Sequence, residues 1–234
     1  MKTVLLDLDG TLLKMDVEQF TKYYFGLLAE YCADEYEPKK LIETVAKGTY
    51  AMIKNDGSMT NEQRFASVFR QCFNEEPNND KFLEFYRTEF KKTINACSVD
   101  GDGRQLVDAL KKRGYRLILA TNPLFPQEGT KQRMGFVNLK LDDFELVTTY
   151  ENCHYCKPNI AYYEEILEKI GESSENCIMI GNDVDEDMVT KQLGMKTVLL
   201  TDCLINKHQK PLDFDYVMTI KDLIAKLEDS TFQL

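Results

Sequence analysis

The chain has 234 residues, of which 43% are hydrophobic and 29% are charged, so it can bury a substantial core. Its formal net charge of −10 argues against nucleic acid and anionic membranes as partners, because both attract clustered basic residues. No apolar run is long enough to span a bilayer, and the first residues reach Asp7 too early for an export signal. The seven cysteines, an odd number, fit reduced thiols, and we therefore expect a cytoplasmic protein.

The first predicted element is a buried strand that ends in two acids. The apolar run 4–6 leads into Asp7 and Asp9, and Gly10 marks a turn directly after them. Strand side chains two positions apart share a face, so both carboxylates emerge at the carboxyl edge of a sheet, where open α/β sheets bind ligands. An Asp-Gly pair is often plain turn chemistry, but this leaves Asp7 unexplained, because an unpaired buried carboxylate is costly. A divalent cation such as magnesium would neutralise it.

Helical periodicity replaces the pattern of strands from Met15 to about Asn95, which predicts an inserted helical segment. Its four amphipathic helices begin near Asp16, Pro38, Thr60 and Asn79. Four such helices are typical of a small bundle with its own core. Aromatic residues at helical spacing are interpreted as that core and not as a ligand pocket. They include Tyr23, Tyr24, Phe25, Phe65, Phe69 and Phe73.

An alternation of strands and helices begins after Asp100. Strands are predicted at 115–120, 144–148, 177–181, 196–200 and 216–218, and helices at 106–112, 161–170, 186–193 and 221–227. This alternation favours the α/β class with a doubly wound parallel sheet. The predicted domains are therefore an α/β core, residues 1–14 with 96–234, and an inserted helical domain, residues 15–95.

Two polar features stand where predicted strands end or helices begin. Thr121 and Asn122 follow the strand at 115–120, where a hydroxyl and backbone amides could meet a ligand, although Thr-Asn-Pro is also good loop chemistry. Lys157 precedes a proline and a helix start, a position that suits an anion. A lone lysine is more often solvated.

A run of acids follows the strand at 177–181. Such runs are usually solvated or begin a helix, and this interpretation suits Asp185 and Glu186. Asp183 lies nearest the strand end, so it is the better candidate to point inward.

Taken in order, these features resemble the four motifs of the haloacid-dehalogenase-like (HAD) hydrolase superfamily. They are Asp7-Leu8-Asp9-Gly10-Thr11, then Thr121, then Lys157 before Pro158, and finally Gly181-Asn182-Asp183-x-x-x-Asp187. The insert after the first motif resembles the helical cap of the family's phosphatase and phosphomutase branches. The resemblance implies a Rossmann-like core, a cap and a phosphoryl-transfer site. From the two connections of the insert, we expect the cap to open and close over that site.

The resemblance also implies a role for each motif residue. Asp7 would attack the substrate phosphorus and become an aspartyl phosphate, which water then hydrolyses. Asp9 would protonate the leaving alkoxide and later deprotonate that water. Lys157 would offset the charge on Asp7 and the phosphate. The phosphate-binding residues would be Leu8, Thr121, Asn122 and Lys157.

Magnesium is the cofactor that the resemblance implies. It would bind a carboxylate oxygen of Asp7, the backbone carbonyl of Asp9 and an acid of the last motif. Many family members have a Gly-Asp pair there, whereas this chain has Asn182 after the glycine, so the last ligand stays open. Asp183 is favoured, with Asp187 as a second ligand or an orienter of metal-bound water, while Asn182 offers only a neutral oxygen.

The predicted function is magnesium-dependent hydrolysis of a small phosphorylated metabolite through an aspartyl phosphate. A phosphomutase would use the same groups and transfer the phosphoryl group to a second substrate hydroxyl. A catalytically silent phosphate-binding or interaction protein would keep the fold, although the intact motif residues argue against it. The dehalogenase branch resembles this chain least, because it lacks the equivalent of Asp9. The sequence identifies neither the phosphomonoester nor the oligomeric state.

Overall fold

A six-stranded parallel sheet forms the centre of the structure, a computed structural model that describes residues 2–234. The strands in chain order are β1 (Thr3–Leu6), β2 (Lys14–Met15), β3 (Cys97–Ser98), β4 (Arg116–Leu119), β5 (Leu146–Val147), β6 (Cys177–Gly181), β7 (Lys196–Leu200) and β8 (Tyr216–Met218). The sheet has the order β5-β4-β1-β6-β7-β8, and every neighbouring pair in it is parallel. The chain builds outward from β1 first on one side and then on the other, so the predicted doubly wound α/β fold is confirmed.

Helices cover the sheet and form the insert. They are α1 (Val17–Tyr31), α2 (Pro38–Ile53), α3 (Asn61–Phe73), α4 (Asn79–Arg87), α5 (Asp102–Lys112), α6 (Gln127–Phe136), α7 (Ile160–Ile170) and α8 (Ile220–Glu228). Short 3-10 helices lie at Glu89–Ala96, Leu141–Asp143, Ser174–Asn176 and Met188–Leu193. Within residues 2–234, every helix falls short of the length and apolar character needed to cross a bilayer.

The core lies on both faces of the sheet because strand side chains alternate. Val4 and Leu6 of β1 join an apolar cluster with α5 and α8, while Leu5 joins the cluster on the opposite face with α7. All three side chains are buried. Strands buried on both faces are typical of parallel sheets, and they leave only the strand ends for polar chemistry.

The insert packs around its own core and is joined to the sheet by two adjacent segments. Aromatic side chains from α1, α3, α4 and the 3-10 helix Glu89–Ala96, with Leu41 and Val45 of α2, form a third cluster. The entering and leaving chains pair as the antiparallel strands β2 and β3, and Lys14 of β2 binds Asp100 and Asp102. We call α1 to α4 with that 3-10 helix the cap. The domain boundaries 15–95 and 96–234 remain a prediction.

Several element predictions were wrong in detail. The strand expected at 144–148 is shortened to β5, and the helix expected at 186–193 is a 3-10 helix at Met188–Leu193. The acids before Met188 form a turn held by side chain to backbone hydrogen bonds, so the helix begins later. Helix α6, the 3-10 helix Glu89–Ala96 and the short ribbon of β2 and β3 were not predicted.

Candidate active site

Asp7 occupies the central position at the carboxyl edge of the sheet. It directly follows β1, its backbone amide donates to the carbonyl of Ile180 at 3.0 Å, and it is 7% exposed. Its Oδ1 accepts a hydrogen bond from Lys157 Nζ at 2.8 Å, and its Oδ2 lies 3.1 Å from the hydroxyl of Thr11. Lys157 therefore stabilises negative charge on Oδ1, while the single hydroxyl proton of Thr11 can be donated either to Asp7 Oδ2 or to Asn182 Oδ1.

Lys157 is a buried ammonium shared by two carboxylates. It is 1% exposed, and its Nζ lies 2.8 Å from Asp7 Oδ1 and 2.6 Å from Asp187 Oδ1. Burial alone would lower the pKa of Lys157, but Asp187 and Asp7 hold it well above its usual value. The lysine is therefore charged, and it links the first motif to the last one.

The last motif folds into a turn that is held by its own carboxylates. Asp187 Oδ2 accepts hydrogen bonds from the backbone amides of Asn182 and Asp183, both at 3.0 Å. Asp183 Oδ1 accepts from the amides of Asp185 and Glu186, at 2.7 and 2.9 Å. Both oxygens of Asp187 are thus engaged, since the other accepts from the buried lysine. These hydrogen bonds satisfy the buried polar groups in the part of the loop that faces Asp7.

Asn182 lies where the strand β6 meets the first motif. Its Nδ2 donates to the carbonyl of Cys203 at 2.8 Å, which orients the amide so that Oδ1 faces the Thr11 hydroxyl at 2.8 Å. Thr11 therefore lies between Asn182 and Asp7. Gly10 has a φ of +87°, and a Cβ added there would lie 2.4 Å from Asn182 Nδ2. Only glycine allows this turn and this close approach.

Thr121 lies beyond β4, the strand beside β1, and is buried. The hydroxyl groups of Thr148 and Tyr162 lie 2.7 and 2.9 Å from its carbonyl oxygen. Two buried side chains thus hold the main chain at this position, which gives it the rigidity that a ligand-binding loop needs.

Asn122 and Glu186 connect the second motif to the last one. Asn122 Nδ2 donates to a carboxylate oxygen of Glu186 at 3.1 Å, and its Oδ1 accepts from the backbone amide of Lys157 at 3.3 Å. Burial raises the pKa of Glu186, Lys157 opposes the rise, and Asp183 and Asp7 add to it. Glu186 is half-buried and contacts the second motif through Asn122, so it is less solvated than the acidic run alone would indicate.

Asp9 is paired with a buried arginine from α6. Arg133 is 1% exposed, and its Nη1 forms an ion pair with Asp9 Oδ2. The other carboxylate oxygen, Asp9 Oδ1, is buried and has no hydrogen-bond partner among residues 2–234. Burial raises the pKa of Asp9, the guanidinium of Arg133 opposes this, and the carboxylate of Asp7 adds to it.

Comparison with known proteins assigns the family. The model of the haloacid dehalogenase-like hydrolases matches residues 1–190, which include all four motifs. The chain belongs to the haloacid dehalogenase-like hydrolase family. This confirms the resemblance and the hydrolase class that the motifs predicted.

Curated relatives and solved structures of this hydrolase family agree with that assignment. Pyrophosphatase PpaX from Bacillus mycoides is 27% identical over 205 residues, which cover 85% of this chain and 83% of the relative. A HAD phosphatase from Thermococcus onnurineus has a TM-score of 0.61 at 18% identity, covering 97% of this chain and 98% of the other. The HAD-hydrolase YfnB from Bacillus subtilis, solved bound to magnesium, has a TM-score of 0.55 at 18% identity, with the same coverage. The two structures support the fold.

The predicted site residues of this hydrolase are brought together to different degrees. Asp7, Lys157 and Asp187 are in direct contact. Thr121 and Asn122 follow the neighbouring strand β4, and Asn122 bonds to the backbone of Lys157. The side chain of Leu8 belongs to the apolar core, so only its backbone is free to meet a ligand. Asp183 lies in the same turn as Asp187, with one oxygen committed to that turn.

Three residues near the site were missed or given no role by sequence reasoning. Thr11 lies within the first motif, so its position in the chain was a signal, and Asn182 of the last motif was already an open candidate for the last metal ligand. Glu186 lies in the acidic run, where composition does not show burial. Arg133 lies outside the four motifs, and no local pattern marks it.

Proposed function

We propose that this hydrolase is a magnesium-dependent phosphatase that hydrolyses a small phosphomonoester through an aspartyl phosphate on Asp7. The observation that carries the proposal is the buried pairing of Asp7 with Lys157, 2.8 Å apart, at the carboxyl end of the central strand. A carboxylate held in this way can serve as an oxygen nucleophile. The names of the relatives, a pyrophosphatase and a HAD phosphatase among them, support a phosphate substrate.

The chain's own residues supply the remaining steps. Lys157 holds the carboxylate of Asp7 and limits its rotation. The backbone amides after β1 and β4, together with the Thr121 hydroxyl, would bind the phosphate oxygens. Asp9 would give a proton to the leaving oxygen and then take one from the attacking water.

The donor set of the site suits magnesium. Acids outnumber cations at this edge of the sheet. The five acids are Asp7, Asp9, Asp183, Glu186 and Asp187, and the two cations are Lys157 and Arg133. Within residues 2–234, no three acidic, cysteine or histidine side chains converge as a metal cage. Magnesium needs only one or two carboxylates and keeps several waters, so Asp7, the Asp9 carbonyl and Asp183 would be enough. The ion would neutralise charge on the phosphate when bound.

Magnesium binding by variants tests the ligand from the last loop. We expect Asp183→Asn to weaken magnesium affinity at least about tenfold, because one of its oxygens is not committed to the turn. Asp185→Asn is the matched control, because Asp185 lies in the same loop as Asp183 but pairs with Lys210. Isothermal titration measures the affinity without substrate. Unchanged binding by Asp183→Asn together with loss in Asp187→Asn would assign the ligand to Asp187.

Turnover of a phosphate panel tests the function. The panel holds an aryl phosphate, sugar phosphates, phosphoglycolate and pyrophosphate, each with and without magnesium. We expect inorganic phosphate release that needs magnesium, and a loss of about a thousandfold or more in Asp7→Asn. Acid quenching followed by mass spectrometry should find the phosphoryl group on Asp7. Asp213→Asn, at an exposed acid, is the control.

Three results would contradict the proposal. Wild-type activity in Asp7→Asn would exclude Asp7 as the nucleophile. No turnover with any divalent metal would favour a phosphate-binding protein. Transfer to a second substrate hydroxyl in place of phosphate release would make the enzyme a phosphomutase.

A further inference from the structure

Arg133 is a buried charged residue for which the proposed reaction has no assigned role. It projects from α6, is 1% exposed, and forms its ion pair with Asp9. A buried guanidinium is unfavourable unless a carboxylate and further hydrogen bonds accompany it. Arg133 and Asp9 therefore each supply the counter-charge that the other needs.

The guanidinium is held on several sides. Its Nη2 donates to the Thr130 hydroxyl at 3.2 Å and its Nε to the Gly129 carbonyl at 3.5 Å. Its Cζ lies 4.4 Å from the centre of the Phe125 ring. Phe125 in turn packs against Tyr24 of the cap, with 5.4 Å between the ring centres. Few alternative rotamers are open to an arginine in these surroundings.

The carboxylate of Asp9 is consequently asymmetric. Its Oδ2 is occupied by Arg133, whereas its Oδ1 is buried with no partner among the described residues. An unpartnered buried oxygen is costly, and in native proteins it calls for an explanation. A substrate atom that shares a proton with Oδ1 would provide one.

We propose that Arg133 is a positioning residue for Asp9, which binds Oδ2 and so directs Oδ1 toward the leaving oxygen of the substrate. This inference rests on the proposed function, in which Asp9 protonates that oxygen. In that step, a bond forms from a carboxylate oxygen of Asp7 to phosphorus while the bond from phosphorus to the leaving oxygen breaks. The leaving oxygen takes the proton of Asp9, and the carboxylate of Asp9 remains paired with Arg133. Small displacements of such a group are expensive, since a shift of about 1 Å can reduce a rate about a hundredfold.

The proposal predicts that the rate lost on replacing Arg133 depends on the leaving group of the substrate. Protonation matters most when the leaving oxygen is a strong base and least when it is a stabilised phenolate. Loss of Arg133 should therefore slow phosphoryl transfer from phenyl phosphate much more than from 4-nitrophenyl phosphate. A purely structural role would slow both substrates equally.

The experiment compares kcat/KM for a series of substituted phenyl phosphates in wild type, Arg133→Met, Arg133→Lys and Asp9→Asn. We expect Arg133→Met to lose less than about threefold on 4-nitrophenyl phosphate and at least about thirtyfold on phenyl phosphate, within the range of general acid catalysis. Arg133→Lys should recover part of the loss, because it keeps the charge without the planar fork. The double variant Asp9→Asn/Arg133→Met should match Asp9→Asn alone. Arg70→Met, at an exposed arginine, is the control.

Each outcome separates the two proposals. One outcome is that Asp9→Asn steepens the dependence of kcat/KM on leaving-group basicity, whereas Arg133→Met lowers kcat/KM equally for all substrates. In that case Arg133 does not position Asp9, while the proposed function stands. If Asp9→Asn itself shows no steepening of the dependence on leaving-group basicity, Asp9 is not the proton donor and the inference about Arg133 falls, whereas hydrolysis through Asp7 is judged separately by the Asp7→Asn variant. If Arg133→Met unfolds, Arg133→Lys decides, because a folded lysine variant with wild-type dependence would overturn the inference.

Discussion

Among the individual residues, Lys157 connects the site, because its ammonium group contacts both Asp7 and Asp187. A lone lysine before a proline is usually solvated, yet here it is buried between Asp7 and Asp187. These partners are 150 and 30 positions away in the chain. A motif could suggest the lysine, but its burial and its second carboxylate depend on how the strands are ordered in the sheet.

Replacement of Lys157 should be costly to stability as well as to activity. Lys157→Met leaves two buried carboxylates without a cation, so we expect the free energy of unfolding to fall by about 3 to 5 kcal/mol in metal-free buffer. Chemical denaturation measures this change. Lys131→Met, at an exposed lysine, should change stability by less than about 0.5 kcal/mol. A Lys157→Met protein as stable as wild type would show that the charge is not needed.

At the scale of elements, the start of α3 joins the cap to the α/β core. The Thr60 and Gln63 capping box predicted this start, and the structure has it. The next residue, Asn61, is buried, and its Nδ2 donates to the carbonyls of Tyr155 and Pro123 at 3.2 and 3.4 Å. Its backbone amide donates to the carbonyl of Cys153 at 2.9 Å. Capping rules predict a helix start but not what it docks against.

Loss of the Asn61 side chain should loosen this docking. Asn61→Ala leaves buried carbonyl groups without a donor, which costs about 1 to 3 kcal/mol. We expect faster amide exchange in the first turn of α3 and in residues 150–156, measured by hydrogen–deuterium exchange with mass spectrometry. Asn95→Ala, at an exposed asparagine, is the control. Unchanged exchange in both segments would mean that the backbone contacts hold the cap without this side chain.

Helix α6 shows why one element escaped prediction. Its sequence, residues 127–136, contains two glycines and few apolar residues, so helical periodicity is absent. Gly129 has a packing reason, because a Cβ there would lie 3.0 Å from the ring of Tyr86 in the cap. The helix is stabilised by its contacts with α4 and the 3-10 helix of the cap, and local propensity contributes little.

At the scale of the whole molecule, one aromatic cluster runs from the cap into the core. The prediction that the aromatic residues of the insert pack as its core is confirmed for Tyr24, Phe25, Phe65, Phe69 and Phe73, while Tyr23 is 39% exposed. The cluster also includes Phe125, which follows β4 and lies over Arg133. The cap therefore covers the side of the site that holds Asp9.

The sequence predicts that the cap opens and closes over the site. We expect small-angle scattering of the protein to change when magnesium and orthovanadate, a phosphate transition-state mimic, are added together, with a smaller radius of gyration as the cap closes. Magnesium alone is the control. Equal scattering profiles in all three conditions would contradict cap closure.

Local patterns in the chain were enough to predict the alternation of strands and helices and the acids after the first strand, because periodicity and turn chemistry act between residues close together in sequence. The family was predicted from the resemblance of four motifs, spread along the chain, to a known superfamily. Three long-range pairings were beyond sequence reasoning: the second carboxylate of Lys157, the partner of Asp9, and the docking of Asn61. Burial makes each of these groups require a partner, but folding brings that partner from a distant segment. The sequence shows which polar and charged groups would need a partner if they were buried. Which residue provides that partner depends on how separate helices and strands pack together.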